Sequence, residues 1–317
     1  MEVIISGNLA LVVDQVGATL EAGTHDTVVL VHADGRRERV GLRALGSVVL
    51  HGDVKLSTGL LQAMAAHSVA LTALPVRGHA PAVGFACMAH RHVLLRHQQH
   101  LAYADPSRRL EIARKVVWAK CEAMAEFARA HAPEGEADLY RAMQSASGVT
   151  ELAELMGVEG AATLKHFESL QALYLRAGSF RFNGRSRQPP RDAPNALMSL
   201  AYTLAQGQAT QLALHAGLDV QLGFLHALHR DRESLSLDLI EPARAELDGW
   251  VYALLTQRAL LKPMMFSNCD DGAVRLTLEG RRLFYPAWYR EGFRIALRPM
   301  RRLLARILES LRHTLPE

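Results

Sequence analysis

Leu110-Glu-Ile-Ala-Arg-Lys-Val-Val-Trp-Ala-Lys-Cys-Glu-Ala-Met-Ala-Glu-Phe-Ala-Arg129 is the longest run of helix formers in the chain. Apolar residues return every three or four positions along it, the spacing of an amphipathic helix. Asp105-Pro106, just upstream, offers a capping acid followed by a residue suited to a first helical turn. The same periodicity dominates everything beyond about residue 90. Before that point the pattern is different. Thr27-Val-Val-Leu-Val-His32 and Arg37-Glu-Arg-Val-Gly41 flank Ala33-Asp34-Gly35-Arg36, where Asp-Gly signals a hairpin turn. Ser47-Val-Val-Leu-His51 and Ser68-Val-Ala-Leu-Thr72 supply further β-branched runs. Between them, Ser57-Thr58 can cap a short helix through Leu60, Leu61, Met64 and Ala65. Pro75, Gly78, Pro81 and Gly84 then punctuate a connection. The expected fold is α+β, with an N-terminal β domain over residues 1–88 and a larger, almost all-α domain over 89–317.

Within the helical part, residues 180–195 read as a linker. Pro189, Pro190 and Pro194 exclude a regular helix there, and helix is expected to resume at Ala196.

The chain has 317 residues, of which 49% are hydrophobic and 21% charged, the profile of a folded globular protein. The N-terminal Met1-Glu-Val-Ile-Ile-Ser6 lacks the basic start and apolar run of a secretion signal, and no stretch has the apolar length of a membrane span. A cytoplasmic location is expected. Cys87, Cys121 and Cys269 are odd in number and far apart, which suits neither a disulfide framework nor a zinc ribbon. They read as small buried hydrophobes.

The net charge of +4 is unevenly spread. From Arg281 onward nine arginines face only Glu291, Glu309 and Glu317, so the preceding residues carry a net −2. Arg181, Arg185, Arg187 and Arg191 form a second cluster with no acid before Asp192. Guanidinium groups suit bidentate phosphate contact better than ammonium groups do. A solvated helix face is the alternative reading of such a run.

Three separate segments carry groups able to hold a metal. Glu159 lies in Leu155-Met-Gly-Val-Glu-Gly160, His226 ends Gly223-Phe-Leu-His226, and Asp238 and Glu241 stand three apart in Leu237-Asp-Leu-Ile-Glu-Pro242. If that last segment is helical, both acids share a face. Pro242 is expected to keep them near a helix start. Each signal has a plainer reading. Asp-x-x-Glu can cap a helix, a histidine after an apolar run can be a core residue, and Glu159 can serve the dipole of a helix beginning near Ala161.

The order of these motifs resembles the CRISPR-associated Cas-one family of spacer-acquisition integrases and endonucleases. The similar stretches run almost end to end: Leu56-Ser-Thr-Gly-Leu-Leu61, Arg96 and Gln98, Glu159-Gly-Ala-Ala162, and Phe182-Asn-Gly-Arg-Ser-Arg-Gln-Pro-Pro190. They continue through Asp192-Ala-Pro-Asn195, Gly217-Leu-Asp219, Gly223-Phe-Leu-His226 and Ser234-Leu-Ser-Leu-Asp-Leu-Ile-Glu-Pro-Ala-Arg244.

The resemblance implies a β domain that pairs two subunits and a helical catalytic domain. It gives Glu159, His226 and Glu241 the role of metal ligands, with Asp238 supporting them and Arg244 near the scissile phosphate. Asn195 would hold helices or a DNA-facing loop. His166-Phe167 stands where many relatives carry Tyr-Phe, so a tyrosine role does not carry over to position 166. Mixed imidazole and carboxylate ligands suit Mg2+ or Mn2+. The implied partners are double-stranded DNA (prespacer and CRISPR repeat), a second copy of the chain and a Cas-two family protein. Arg96, Arg181, Arg185, Arg187, Arg301 and Arg302 are the candidate phosphate contacts. The implied reaction is insertion of short foreign DNA into a CRISPR array by 3′-hydroxyl attack. Simple cleavage of branched DNA, or noncatalytic DNA binding, are the alternatives.

Overall fold

The computed structural model describes residues 3–4, 9–15, 17–67, 69–74, 83–85, 93–230 and 232–312. Ser68, Pro75, Gly78, Pro81, Cys87 and the expected boundary at 88/89 lie outside these residues. The strands are β1 (Val3–Ile4), β2 (Leu9–Val13), β3 (Thr19–Gly23), β4 (Thr27–Val31), β5 (Arg37–Gly41), β6 (Leu45–His51), β7 (Lys55–Leu56), β8 (Ala70–Leu74), β9 (Val83–Phe85), β10 (Phe266–Asn268) and β11 (Val274–Leu276). The helices are α1 (Thr58–Ala66), α2 (Val93–Ala104), α3 (Pro106–His131), α4 (Glu136–Gly148), α5 (Leu152–Ala177), α6 (Ala193–His215), α7 (Ser234–Tyr252), α8 (Leu278–Ala287) and α9 (Phe293–Arg312). The order is strand-rich first and then mostly helical, an α+β fold.

Two compact units emerge, one from 1–88 with 277–291 and one from 89–276 with 292–317. In the first, β5-β4-β3-β7 form one sheet and β1-β2-β6-β8-β9 another. The hairpin β4–β5 turns at Gly35, whose φ of 83° favours a residue without a Cβ. The strands β2, β6 and β8 run parallel to one another, with β6 in the middle of the sheet and buried at Val48, Val49 and Leu50. Ser57 caps α1 by accepting from the Leu60 amide, and Leu60 and Met64 join the core of Leu20, Leu30, Leu42 and Leu71. Gly84, expected in a connection, lies in β9.

In the second unit α3 is the central post, packed against α4, α5, α7 and α9. Asp105 caps it through the amides of Ser107 and Arg108, with Pro106 in the first turn as the sequence pattern predicts. Buried alanines at 113, 123, 125 and 128 let neighbouring helices approach closely. Most of α7 is buried too.

Three local expectations are corrected. The helix α6 begins at Ala193, not Ala196, because Asp192 caps it and Pro194 falls in the first turn, where no amide donor is needed. Pro242 lies in the interior of α7, so Asp238 and Glu241 are not at a helix start. The ladder bond Pro242 cannot make is the one to the Asp238 carbonyl. Glu159 sits well inside α5, because Gly157 and Gly160 are carried within the helix rather than ending it.

Candidate active site

Three helices deliver charge to one point in the second unit. Lys120 on α3 contacts the Glu159 carboxylate on α5, and its Nζ lies 2.6 Å from Oε2 of Glu241 on α7. The Lys120 side chain is only 6% exposed and that of Glu241 5%. Arg244, one turn along α7, donates from Nε to Oε1 of Glu241 at 3.0 Å. Burial pushes the Glu241 pKa up, but the charges of Arg244 and then Lys120 oppose it, and the carboxyl is held well below its usual range. Glu241 is therefore an anion at neutral pH despite its burial.

His226 comes from the loop between α6 and α7. Asp238 shapes that loop by accepting the backbone amides of Phe224, Leu225 and His226 at 2.5, 3.0 and 3.0 Å. It also receives Nδ1 of His226 on Oδ1 at 2.7 Å. A carboxylate can only accept, so Nδ1 carries a proton, and in the neutral imidazole the lone pair is the one on Nε2. That lone-pair nitrogen stands 4.0 Å from Oε1 of Glu241. Asp238 is thus neither a cap of its own helix nor an exposed acid, and His226, with its side chain 28% exposed, is not a core histidine. Gly223 is required by the same approach: an added Cβ would meet the Ser234 carbonyl at 2.7 Å and Asp238 Oδ2 at 2.9 Å.

The loop is also fastened from α2 and α3. Gln99 donates to the carbonyls of Asp219 and Leu222 and accepts the Asp219 amide. Arg96 donates to the Gly217 carbonyl at 3.3 Å and Arg109 to that of Phe224 at 3.0 Å. Arg96 therefore spends its Nε on the loop.

Behind Arg244 lies a buried polar chain. Its guanidinium sits 4.6 Å from the Tyr202 ring centroid, the Tyr202 hydroxyl donates to Asp248 at 2.5 Å, and the other Asp248 oxygen meets Nε2 of His166 at 2.9 Å. Burial first, and then Asp248, push the Tyr202 pKa well above its usual value. Arg185 is enclosed as well, donating to Asn195 Oδ1, Ser199 Oγ and the Ser186 carbonyl. Asn195 in turn binds the Gly184 carbonyl and Asp192, so it locks the 184–186 loop onto the start of α6. Arg181 and Arg187 are exposed, as are Arg301 and Arg302 on α9.

Lys120, Tyr202 and Asp248 were not singled out by the sequence. Lys120 had a signal: it falls on the apolar stripe of Ala113, Val116, Val117 and Met124, where a lone ammonium requires a buried anion. Asp238, Glu241, Arg244 and Asp248 likewise mark one polar stripe down an otherwise buried helix.

Among the described residues, no three His, Cys, Asp or Glu groups already converge on a metal-sized point, and the Lys120 ammonium stands between the two glutamates. The donor chemistry nonetheless suits a small divalent ion. An imidazole has its far nitrogen fixed by a carboxylate, as metal-binding histidines usually do. Glu241 Oε2 is buried in ion-pair contact but without an aligned hydrogen bond. Ligand atoms about 2.1 Å from one ion stand roughly 3 to 4 Å apart, which the His226 and Glu241 atoms satisfy.

The family model described as “CRISPR associated protein Cas1” matches residues 11–290. The chain belongs to this Cas1 family. It is 29% identical to CRISPR-associated endonuclease Cas1 1 of Moorella thermoacetica over 92% of this chain and 93% of that one. It is 33% identical to CRISPR-associated endonuclease Cas1 2 of Rhodospirillum rubrum over 82% and 80%. A Cas1 protein from Thermotoga maritima shares the fold with a TM-score of 0.82 at 22% identity, covering 95% of this chain and 96% of that one. A casposase bound to integration product follows at 0.80 and 18%, covering 97% and 92%. A Cas6-RT-Cas1–Cas2 complex chain matches at 0.76 and 18%, covering 98% of this Cas1 and 35% of that chain.

Proposed function

We propose that this Cas1 is a divalent-metal-dependent DNA endonuclease and integrase that inserts short foreign DNA into a CRISPR array. The observation that carries the reading is the His226 imidazole, its proton fixed on Nδ1 by Asp238 and its lone pair turned toward the anionic Glu241. Glu159, His226 and Glu241 would hold Mg2+ or Mn2+, which when bound polarises a nonbridging phosphate oxygen and offsets charge on the leaving oxygen. Asp238 keeps the imidazole in the metal-binding tautomer. Arg244, held by Glu241 and the Tyr202 ring, offers its remaining donors to the phosphate as negative charge grows. The nucleophile comes from outside the protein. A DNA 3′-hydroxyl gives joining and water gives a nick, so no side chain need become covalently attached.

Solved structures of the same fold, described as a casposase bound to integration product and as a Cas6-RT-Cas1–Cas2 complex, support DNA and a Cas2 family protein among the partners inferred here. These are double-stranded DNA in the form of prespacer and repeat, a second copy of the chain paired through the 1–88 β domain, and a Cas2 family protein. Exposed Arg181, Arg187, Arg301 and Arg302 would track phosphates without reading sequence. Arg96 and Arg185 would contribute chiefly by holding loops.

The test combines the protein, a 3′-hydroxyl duplex, supercoiled plasmid and Mn2+. Joined products that vanish in Glu159→Ala and His226→Ala, with DNA affinity kept, are expected. Cleavage without joining would make the chain a nuclease of branched DNA, and metal-insensitive binding alone would make it a scaffold.

A further inference from the structure

We infer that Lys120 is a built-in counter-ion, an ammonium that holds Glu159 and Glu241 together before metal arrives and that a divalent ion must displace to enter. The inference rests on the metal-site reading above and names the residue that governs metal entry.

Lys120 has two carboxylate partners from two different helices, and both are among the three residues given to the metal. A buried ammonium without anions would be strongly disfavoured, and two buried carboxylates without a cation would repel each other. The ammonium offsets part of the carboxylate charge and ties α3, α5 and α7 at one point. Around it, Glu159 and Glu241 meet the Lys120 ammonium, Glu241 also meets the Arg244 guanidinium, and Asp238 adds a third carboxylate behind His226. A divalent ion added beside both cations would leave an excess of positive charge in a low-dielectric space, whereas the same ion in place of the ammonium leaves the site neutral.

The cation that yields is Lys120 rather than Arg244. Arg244 is pinned by a 3.0 Å bond to Glu241 and by the Tyr202 ring at 4.6 Å. Lys120 has a flexible four-carbon stem, and Glu159, one of its partners, has a side chain that is 24% exposed, giving the ammonium a way toward solvent. Metal affinity is then set by competition with a tethered cation, which keeps the two carboxylates gathered before metal binds.

The experiment uses the full chain without DNA. Mn2+ binding is followed by electron paramagnetic resonance and by thermal melting for the wild type, Lys120→Met and Lys120→Arg. In Lys120→Met, Mn2+ is expected to bind at least tenfold more tightly, the metal-free melting temperature to fall, and the Mn2+-induced rise to exceed that of the wild type. Lys120→Arg should restore metal-free stability without the gain in affinity. His226→Ala should abolish Mn2+ binding in every background. If the wild type binds Mn2+ through His226 and Lys120→Met binds it no more tightly, Lys120 is a structural ion-pair partner and the inference is overturned while the metal site stands. If no version binds Mn2+, both readings fall.

Should Lys120→Met fail to fold, the wild type supplies the answer. Amine-ester labelling of Lys120, quantified by peptide mass spectrometry against Lys55, Lys115, Lys165 and Lys262 as internal standards, should rise at least threefold on adding Mg2+. Unchanged labelling overturns the displacement.

Discussion

Asp238 holds His226 twice, taking its backbone amide at 3.0 Å and its ring Nδ1 at 2.7 Å on the same carboxylate oxygen. One side chain thus fixes where the imidazole is and which nitrogen keeps a lone pair. Asp238→Asn should leave the loop roughly in place but lose this control, because the amide can present a donor where only an acceptor works. Metal affinity and joining rate should fall about 10- to 100-fold, the usual effect of losing an outer partner of a ligating histidine. Asp238→Ala should additionally speed amide exchange at residues 224–226. A full joining rate in Asp238→Asn would remove the tautomer from the mechanism.

Asp248 is 1% exposed and binds both the Tyr202 hydroxyl and His166. Replacing it with Ala leaves two buried polar groups without a partner, a loss of about 3 kcal/mol. Tyr202→Phe removes one bond and should cost about 1–3 kcal/mol. Urea unfolding measures both. Because Tyr202 also backs Arg244, Tyr202→Ala should lower the joining rate more than Tyr202→Phe, which keeps the ring.

Gly223 can carry no side chain without meeting the Ser234 carbonyl at 2.7 Å. Gly223→Ala should destabilise the protein by about 2 kcal/mol or more and displace His226, since overpacking against backbone cannot relax through a rotamer. Melting temperature and Mn2+ affinity should fall together, and normal values for both would show that the loop shifts freely.

Periodicity exposed most of the helices, and the cap at Asp105 and the turn at Asp34-Gly35 stand where the residues predict them, because these features are local. What escaped is what depends on partners distant in sequence. Lys120 reads as one more helix former until Glu159 and Glu241 are brought to it from two other helices. Asp248 has no meaning without Tyr202 and His166. Pro242 argues locally for a helix start, yet α7 continues through it because burial of Leu235, Leu239, Ala243 and Leu247 outweighs one missing backbone bond. The 277–291 segment groups with the β-rich unit through contacts such as Arg281 to Asp14 and Tyr289 to Ser47, which no reading of its own helix-forming residues reveals.

In that unit His51 packs edge-on against Tyr285, with ring centroids 5.9 Å apart. Burial, aided by Arg281 and opposed by Asp14, pushes its pKa from 6.5 down to about 4. The unfolded chain therefore takes up this proton first as pH falls. The contribution is fully present above about pH 6.5 and is lost progressively toward pH 4, amounting to up to about 3 kcal/mol. A further loss below about 4.5 belongs to Glu241, whose depressed pKa acts in the same direction at lower pH. His51→Gln should flatten the denaturation midpoint between pH 6.5 and 4 and leave the more acidic loss intact. An unchanged slope in that variant would place the proton elsewhere.

Adjacent arginines on α9 should differ in what they give to DNA. Both Arg301 and Arg302 are exposed, but Arg302 lies within electrostatic reach of Glu122 on α3 and Glu246 on α7. Burial raises the pKa of each of these carboxylates, and Arg302 opposes that rise, with Arg306 acting at Glu122 and Arg298 at Glu246. Part of the field of Arg302 is therefore already matched within the protein, and a phosphate gains less from it. Each phosphate contact releases about one counter-ion, so Arg301→Gln should reduce the slope of log affinity against log salt by about 1, and Arg302→Gln by distinctly less. Titrating a duplex at several salt concentrations reads both slopes. Equal reductions would mean that DNA draws Arg302 away from its carboxylates, and no reduction in either would take α9 off the DNA-binding surface.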